Sequence, residues 1–110
     1  MLAQAYHRDE VIWWRKTGEN PQGEPVFALP EKIACRFERA GKLVARRDGK
    51  ELMSRAVVYT VETVAEDDVL ERGNRAYPVI AVREARGVHG EFLQNEAYLG
   101  AEQASSLRKV

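Results

Sequence analysis

Alternation of apolar and polar residues predicts a chain built from short β-strands. Between residues 31 and 38, Ile33, Cys35 and Phe37 alternate with charged or small residues. Successive side chains of a strand point to opposite faces, so this segment is expected to have one core face and one solvent face. Cys35 is expected to lie in the core.

The run from Ser54 to Gly73 predicts a central strand followed by a sharp stop. Apolar or β-branched residues occupy both faces, which indicates that the strand contacts protein on both sides. The two sets are Val57, Tyr59 and Val61, and Ala56, Val58 and Thr60. An acidic segment, Ala65 to Asp68, is expected to end the strand in a solvated turn, because aspartate is a poor strand former that caps local turns. Val69 and Leu70 are expected to return to the core.

Three further segments have strand-like composition. Val11 to Lys16 contains adjacent Trp13 and Trp14, whose indoles would lie on opposite faces. Tyr77 to Glu84 predicts a strand whose proline, Pro78, is tolerated only at an edge or near a strand start. Phe92 to Leu99 is compatible with a strand or a short helix, and Gly87 and Gly90 separate it from what precedes.

Turn-forming residues divide these strands. Thr17 to Pro25 predicts an exposed, flexible connection. Asp48-Gly49 predicts a two-residue hairpin turn, and Gly73-Asn74 predicts a second tight hairpin turn. Gly100 to Val110 is small and polar, and we expect it to fray as a flexible C-terminal tail. The result is an all-β fold: one domain over residues 1–110, with about six or seven short antiparallel strands in a small barrel or sandwich with long loops.

Charge and composition exclude several classes of protein. Seventeen basic and seventeen acidic residues in 110 give zero net charge, which argues against a broad surface for unspecific nucleic-acid binding. Any such contact would be local. A single cysteine, no basic-then-apolar leader and no apolar run near about 20 residues predict a cytosolic chain without a membrane segment.

No set of residues has the spacing of a catalytic or metal site. His7, His89 and Cys35 lack metal-ligand spacing, and the carboxylates of Glu66 to Asp68 lack the glycine-punctuated loop of a calcium site. Ser54 has no nucleophile-elbow setting. We therefore expect no enzyme activity, no metal and no cofactor.

Two groups of side chains suggest binding. Arg46, Arg47 and Lys50 surround the Asp48-Gly49 turn, where they would either keep a hairpin tip soluble or, in a ring of several copies, line a channel for a phosphate backbone. Four aromatic residues fit a core or subunit interface better than a stacking platform for single-stranded nucleic acid, although that platform is the alternative. They are Trp13, Trp14, Tyr59 and Tyr77.

The order of these segments resembles the head-closure, or stopper, proteins that join heads to tails in tailed bacteriophages. The matching segments are DEVIWWRK, GEPVFALPEKIACRFE, RRDGKELMSRAVVYT and VAEDDVLERG, which span Asp9 to Gly73, and YPVIAVREARGVHGEFLQNEAYL continues the pattern. Each segment is short, so the specificity comes from order and spacing. Asp67 stands where the family pattern has glycine, and aspartate also tolerates turn geometry.

The resemblance implies a small β-barrel subunit of a phage or prophage neck. Such subunits form a homo-oligomeric ring, a hexamer or a dodecamer, below the portal and its adaptor, where the ring seals packaged double-stranded DNA and docks the tail. On this chain the implied plug is the hairpin from Gly41 to Lys50, with Arg46, Arg47 and Lys50 facing DNA without reading its sequence. The implied docking residues lie in the Thr17 to Glu24 loop and in the tail. They are Glu19, Asn20, Gln22, Arg108 and Lys109. The implied location is the virion neck, reached from the cytoplasm of a bacterial host.

Overall fold

A computed structural model describes residues 8–104 and shows an all-β fold, as the sequence predicts. No described residue is helical, so this part of the chain contains no helix that could cross a membrane. The strands of the described residues are β1 (Asp9–Trp14), β2 (Lys16–Glu19), β3 (Pro25–Phe27), β4 (Glu31–Arg39), β5 (Leu43–Ala45), β6 (Glu51–Met53), β7 (Ala56–Thr60), β8 (Val69–Arg72), β9 (Arg75–Arg86), β10 (Phe92–Leu99) and β11 (Gln103–Ala104).

Six of these strands close into an antiparallel barrel. The order around the barrel is β10-β7-β4-β1-β8-β9, and β10 pairs with β9 to close it. Closure leaves no free edge along the wall, which removes the exposed ladder groups that promote aggregation. Two separate hairpins, β2–β3 and β5–β6, and the short strand β11 account for the remaining strands. The predicted small barrel of about six or seven strands is confirmed by the six barrel strands, and the described residues contain five further short strands.

Every barrel strand sends side chains into one buried interior, the barrel core. Its members come from alternate positions of the six strands, as the period of two requires, together with Val64 from the segment between β7 and β8. They are Val11, Trp13, Ile33, Cys35, Phe37, Ala56, Val58, Val64, Leu70, Tyr77, Val79, Ala97 and Leu99. The alternation predicted for residues 31–38 is confirmed in β4, where Ile33, Cys35 and Phe37 are buried.

The central strand is covered on both faces, as its sequence indicates. Ala56 and Val58 of β7 face the barrel core, whereas Val57 and Tyr59 lie on the outer wall beneath the β5–β6 hairpin. There Val44 of β5 packs against Val57, together with Ile80, Ala81 and Tyr98. The prediction that Val61 belongs to this strand is wrong, because β7 ends at Thr60.

The structure also decides the expectations for Phe92–Leu99, for Pro78 and for the Gly73-Asn74 turn. Phe92–Leu99 is a strand, paired with both β7 and β9, which decides between the two predicted possibilities. Pro78 lies near the start of β9, as predicted, and its carbonyl accepts a hydrogen bond from the Gly100 amide (2.8 Å). Gly73 and Asn74 form the predicted tight turn, since Arg72 pairs directly with Arg75 and Gly73 adopts a φ of 62°.

Candidate protein and DNA contact surfaces

The β5–β6 hairpin ends in a three-residue turn. The Arg46 amide donates to the Lys50 carbonyl (2.8 Å), and the Gly49 amide donates to the Arg46 carbonyl (3.0 Å). Gly49 alone in this turn has positive φ, 90°, whereas a two-residue turn of the common hairpin type needs positive φ at both central residues. The predicted two-residue Asp48-Gly49 turn is therefore wrong. The Asp48 side chain instead accepts a hydrogen bond from the Lys50 amide (3.0 Å).

This tip is tied down onto the acidic segment that follows β7. The Arg46 guanidinium lies 3.0 Å from the Asp67 carboxylate and 3.6 Å from that of Glu66. The Arg47 amide donates to Glu66 (2.9 Å). The hydrogen bond with Asp67, and the negative charges around it, raise the pKa of Arg46 above its usual value. The hairpin tip therefore lies against this acidic segment and is not held away from the barrel.

The three basic residues at the tip divide into two roles. Arg46 is only about 20% exposed and is neutralised by its acidic partners, so it stabilises the fold. Arg47 and Lys50 are exposed, and neither side chain forms an ion pair with any described residue. The free positive charge of this tip consequently comes from Arg47 and Lys50.

The acidic segment is a turn, but only part of it is solvated. Asp67 adopts a φ of 73°, which places this position in the left-handed region that glycine or aspartate tolerates. Asp68, in contrast, is 1% exposed. Its carboxylate accepts hydrogen bonds from the Trp13 indole and from the Lys16 and Ala65 amides, each 2.9 Å long.

Asp68 therefore joins three parts of the chain. It links the end of β1, the start of β2 and the segment before β8. The expectation of a solvated turn is wrong at this residue, because a buried indole and two backbone amides require an acceptor at that point. Trp13 lies 55 positions away in sequence, so no local pattern could have revealed the pairing.

The four aromatic residues do not form a stacking platform. Trp13 and Tyr77 belong to the barrel core, where they are 4% and 2% exposed. Trp14 lies on the opposite face from Trp13, as predicted, where it donates to Glu71 (3.1 Å) and meets Phe27 edge-on. The Tyr59 ring lies under the Arg36 guanidinium at 4.9 Å. All four rings have partners within the described chain.

The predicted loop from Thr17 to Pro25 is an ordered hairpin. β2 and β3 pair, and the turn between them is built around Asn20, whose side-chain oxygen accepts from the Gln22 and Glu24 amides (3.0 and 2.9 Å). Asn20 is thus a turn-forming residue. Two of the predicted docking residues, Glu19 and Gln22, are exposed on this hairpin. The other two, Arg108 and Lys109, lie outside the described residues.

A long projecting hairpin is a feature that the sequence reasoning missed. β9 and β10 continue together beyond the barrel, and Arg86 pairs with Phe92 near the tip. Gly87 and Gly90 do not isolate β10 but form the turn of this arm, since the Gly90 amide donates to the Gly87 carbonyl (3.0 Å). Residues 83–86 are mostly charged, so no apolar alternation indicated that the strand continues to Arg86. The arm helps to explain extents of 45 × 30 × 24 Å.

The start of the predicted C-terminal tail is paired with the barrel. Gln103 and Ala104 form β11 against β9, so the frayed segment does not begin at Gly100. Glu102 anchors this end: it accepts from the Tyr77 hydroxyl (3.1 Å) and forms ion pairs with Arg39 (3.4 Å) and Arg75 (3.6 Å). The hydrogen bond from Tyr77, together with the arginine charges, lowers the pKa of Glu102.

Two of the side chains considered for chemistry, Cys35 and Ser54, have structural roles. Cys35 is fully buried, and desolvation raises the pKa of its thiol to about 12. The Ser54 hydroxyl donates to the Ala40 carbonyl and accepts from the Lys42 amide, both at 3.1 Å. His89 is exposed in the arm turn, and His7 lies outside the described residues. Within residues 8–104, no group of three His, Cys, Asp or Glu residues is arranged to hold a metal ion.

Two adjoining clefts border the hairpin tip. Their volumes are about 430 and 410 Å³, and both are lined by Arg46, Arg47, Ala65 and Glu66. Because their linings mix basic and acidic side chains, neither cleft offers the one-sign surface that would select a charged small molecule.

The large apolar side chains that remain exposed are confined to the three hairpins and the link after β3. Those on the described chain are Val26, Leu29, Leu43, Leu52, Met53, Val88, Phe92 and Leu93. Val88, at the tip of the arm, is 95% exposed, and Leu29 is 88% exposed. The barrel wall carries none of them. Leu43 and Met53 are direct cross-strand neighbours, and contiguous exposed apolar groups are typical of surfaces that contact other proteins.

Comparison with models of known protein families gave no match, and comparison with curated proteins gave none either.

Proposed function

We propose that this chain is a structural subunit of a phage or prophage head-tail connector, of the head-closure type. It forms a ring that closes the DNA channel after packaging and provides a surface on which the tail docks. Its mechanism is contact and gating, with no covalent bond made or broken.

One observation carries the proposal beyond the resemblance in sequence order. A closed barrel supplies a rigid body, and every large exposed apolar side chain among the described residues lies on a hairpin, or on the adjoining link, outside the barrel wall. Exposed apolar residues on such hairpins suit contact with neighbouring proteins, and a solvated monomer gains nothing from them. An assembly subunit is the function that this arrangement supports best.

The DNA-facing part of the proposal rests on the β5–β6 tip. Arg47 and Lys50 present unpaired positive charge there, and repetition around a ring multiplies that charge although each chain has zero net charge. Contacts with phosphates hold DNA without reading its bases, which is the requirement for a seal on any packaged genome. Arg46 is left out of this role, because its charge is already neutralised by Glu66 and Asp67.

Deleting the gene from the phage or prophage that encodes it tests the function. Particles made without the protein should lose their packaged DNA or fail to gain tails. Tail-bearing particles that keep their DNA in its absence would refute the proposal.

Charge reversals test the DNA contact separately. Arg47→Glu and Lys50→Glu should each reduce DNA retention while the monomer stays folded, because both side chains are exposed and unpaired. Lys32→Glu, an equally exposed reversal on the barrel wall, is the matched control and should retain DNA normally. Equal DNA retention by all three variants would show that DNA contacts another part of the chain.

A further inference from the structure

The β5–β6 hairpin carries an apolar and basic surface, which we call the basic surface. Leu43 and Met53 are direct cross-strand partners and so share its outer face, where they are 56% and 58% exposed. Residues 41–55 contain five basic and two acidic side chains, a net charge of +3, or +2 when Arg46, which is neutralised by Glu66 and Asp67, is left out. Of these, Lys42 and Arg55 at the base of the hairpin are exposed and form no ion pair with described residues.

The β2–β3 hairpin and the link after it carry an apolar and acidic surface, the acidic surface. From the start of β2 to the end of the link, residues 16–30 contain two glutamates, Glu19 and Glu24, and one lysine, Lys16, whose ammonium lies 3.7 Å from the Glu19 carboxylate, so the net charge is −1. Val26 is 44% exposed and Leu29 is 88% exposed beside them. This surface has the same apolar character as the basic surface and the opposite charge.

The bases of the two hairpins lie on opposite walls of the barrel. The β2–β3 hairpin follows β1, whereas the β5–β6 hairpin packs through Val44 on the outer wall formed by β7, β9 and β10. In the order β10-β7-β4-β1-β8-β9, strands β1 and β10 are separated by two strands in either direction. The β5–β6 tip reaches Asp67, next to the Asp68 that holds the start of β2, but no hydrogen bond or ion pair among the described residues joins the two hairpins. The proposed contact is therefore one with another molecule.

We propose that the acidic surface of one copy binds the basic surface of the next copy, an inference that rests on the proposed ring-forming function. A contact between two different surfaces repeats head to tail, and it closes into a ring when the rotation between copies allows. Opposite charges fix which surfaces meet, and the exposed apolar side chains supply the area to be buried. In this arrangement neither surface faces another surface of the same charge.

Disulfide trapping tests the contact directly. Because Cys35, the chain's single cysteine, is fully buried, any disulfide between copies must come from the introduced pair of surface cysteines. The double variant Val26→Cys with Met53→Cys should give a ladder of linked copies under mild oxidation at about 1 mM protein, a concentration that detects even weak association. The control pair Val88→Cys with Met53→Cys places a cysteine on the more exposed arm tip and should give at least tenfold less product.

Charge reversal in that cysteine background tests the electrostatic part. Glu19→Lys with Glu24→Lys, or Lys42→Glu with Arg55→Glu, should each lower the yield of linked copies about tenfold. A chain carrying all four reversals restores the opposite charges and should recover the yield. Absence of the ladder, equal yields for both cysteine pairs, or no recovery in the fourfold variant would overturn the inference.

The outcomes separate this contact from the proposed function. A ladder from a chain whose gene deletion leaves DNA-filled, tailed particles would support the contact and refute the connector role. Deletion that abolishes tail joining, with no ladder, would keep the connector role and refute this contact.

Discussion

Replacing Asp68 by alanine should destabilise the barrel more than any surface substitution. The side chain is 1% exposed and accepts three hydrogen bonds of 2.9 Å from the Trp13 indole and the Lys16 and Ala65 amides. A hydrogen bond to a charged group contributes about 1.5–3 kcal/mol, and alanine leaves three donors without an acceptor. Because neighbouring effects do not add fully, we expect a loss of about 3–5 kcal/mol in the free energy of unfolding.

That loss is a large share of the total stability. A domain of 110 residues is stabilised by roughly 5–16 kcal/mol. At about 4 °C for each kcal/mol, the midpoint of thermal unfolding should fall by about 12–20 °C. Asp68→Asn should lie between wild type and Asp68→Ala, since its oxygen can keep the contacts with Trp13 and Ala65 while its amide group opposes the Lys16 amide.

Thermal and urea unfolding followed by tryptophan fluorescence measure this effect. Asp67→Asn is the matched control: it alters the next carboxylate, which is half-exposed, and asparagine tolerates the same positive φ. The control should change stability by no more than about 0.5 kcal/mol. If Asp68→Ala changes stability as little as this control does, the reasoning about a buried acceptor is refuted.

Further predictions concern three other residues. Cys35 should resist thiol reagents in the folded protein, because burial raises its pKa to about 12, and should react at the rate of unfolding; fast labelling of native protein would contradict its placement. Asp67→Gly should change the free energy of unfolding by less than about 1 kcal/mol. Asp67→Val should lower it by more than that, because a β-branched side chain is strained at the φ of 73°, and urea unfolding midpoints measure the difference. The stabilisation from Glu102, whose pKa is lowered, should be complete above its unfolded-state pKa and disappear as pH falls through the lower folded-state pKa. Hydrogen exchange at Gln103–Ala104 should show this loss in wild type and not in Glu102→Gln.

The strands were predictable because their information is local. Alternation at a period of two identified β4 and the two-sided strand β7 from a few adjacent residues. β9 pairs with β10 from Val79 opposite Leu99 to Arg86 opposite Phe92, and the run from Tyr77 to Glu84 showed only the part of that hairpin inside the barrel. The arm beyond it lacks the apolar alternation of a core strand, so composition hid it.

The candidate surfaces were only partly predictable because their residues pair across the chain. Arg46 lies 21 positions from Asp67, and Trp13 lies 55 positions from Asp68. The sequence does not show whether a charged residue is solvated by water or paired with a distant residue of opposite charge. The sequence therefore grouped Arg46 with Arg47 and Lys50, and it treated Asp68 as solvated.

Reconstitution in vitro tests the connector role most directly. DNA-filled heads from a deletion strain are mixed with purified tails, with and without the purified protein, and DNase-resistant tailed particles are counted by electron microscopy. The proposed function predicts that joined particles form only when the protein is added, and that the Arg47→Glu variant retains less DNA. Joining and DNA retention that are the same with and without the protein would contradict it.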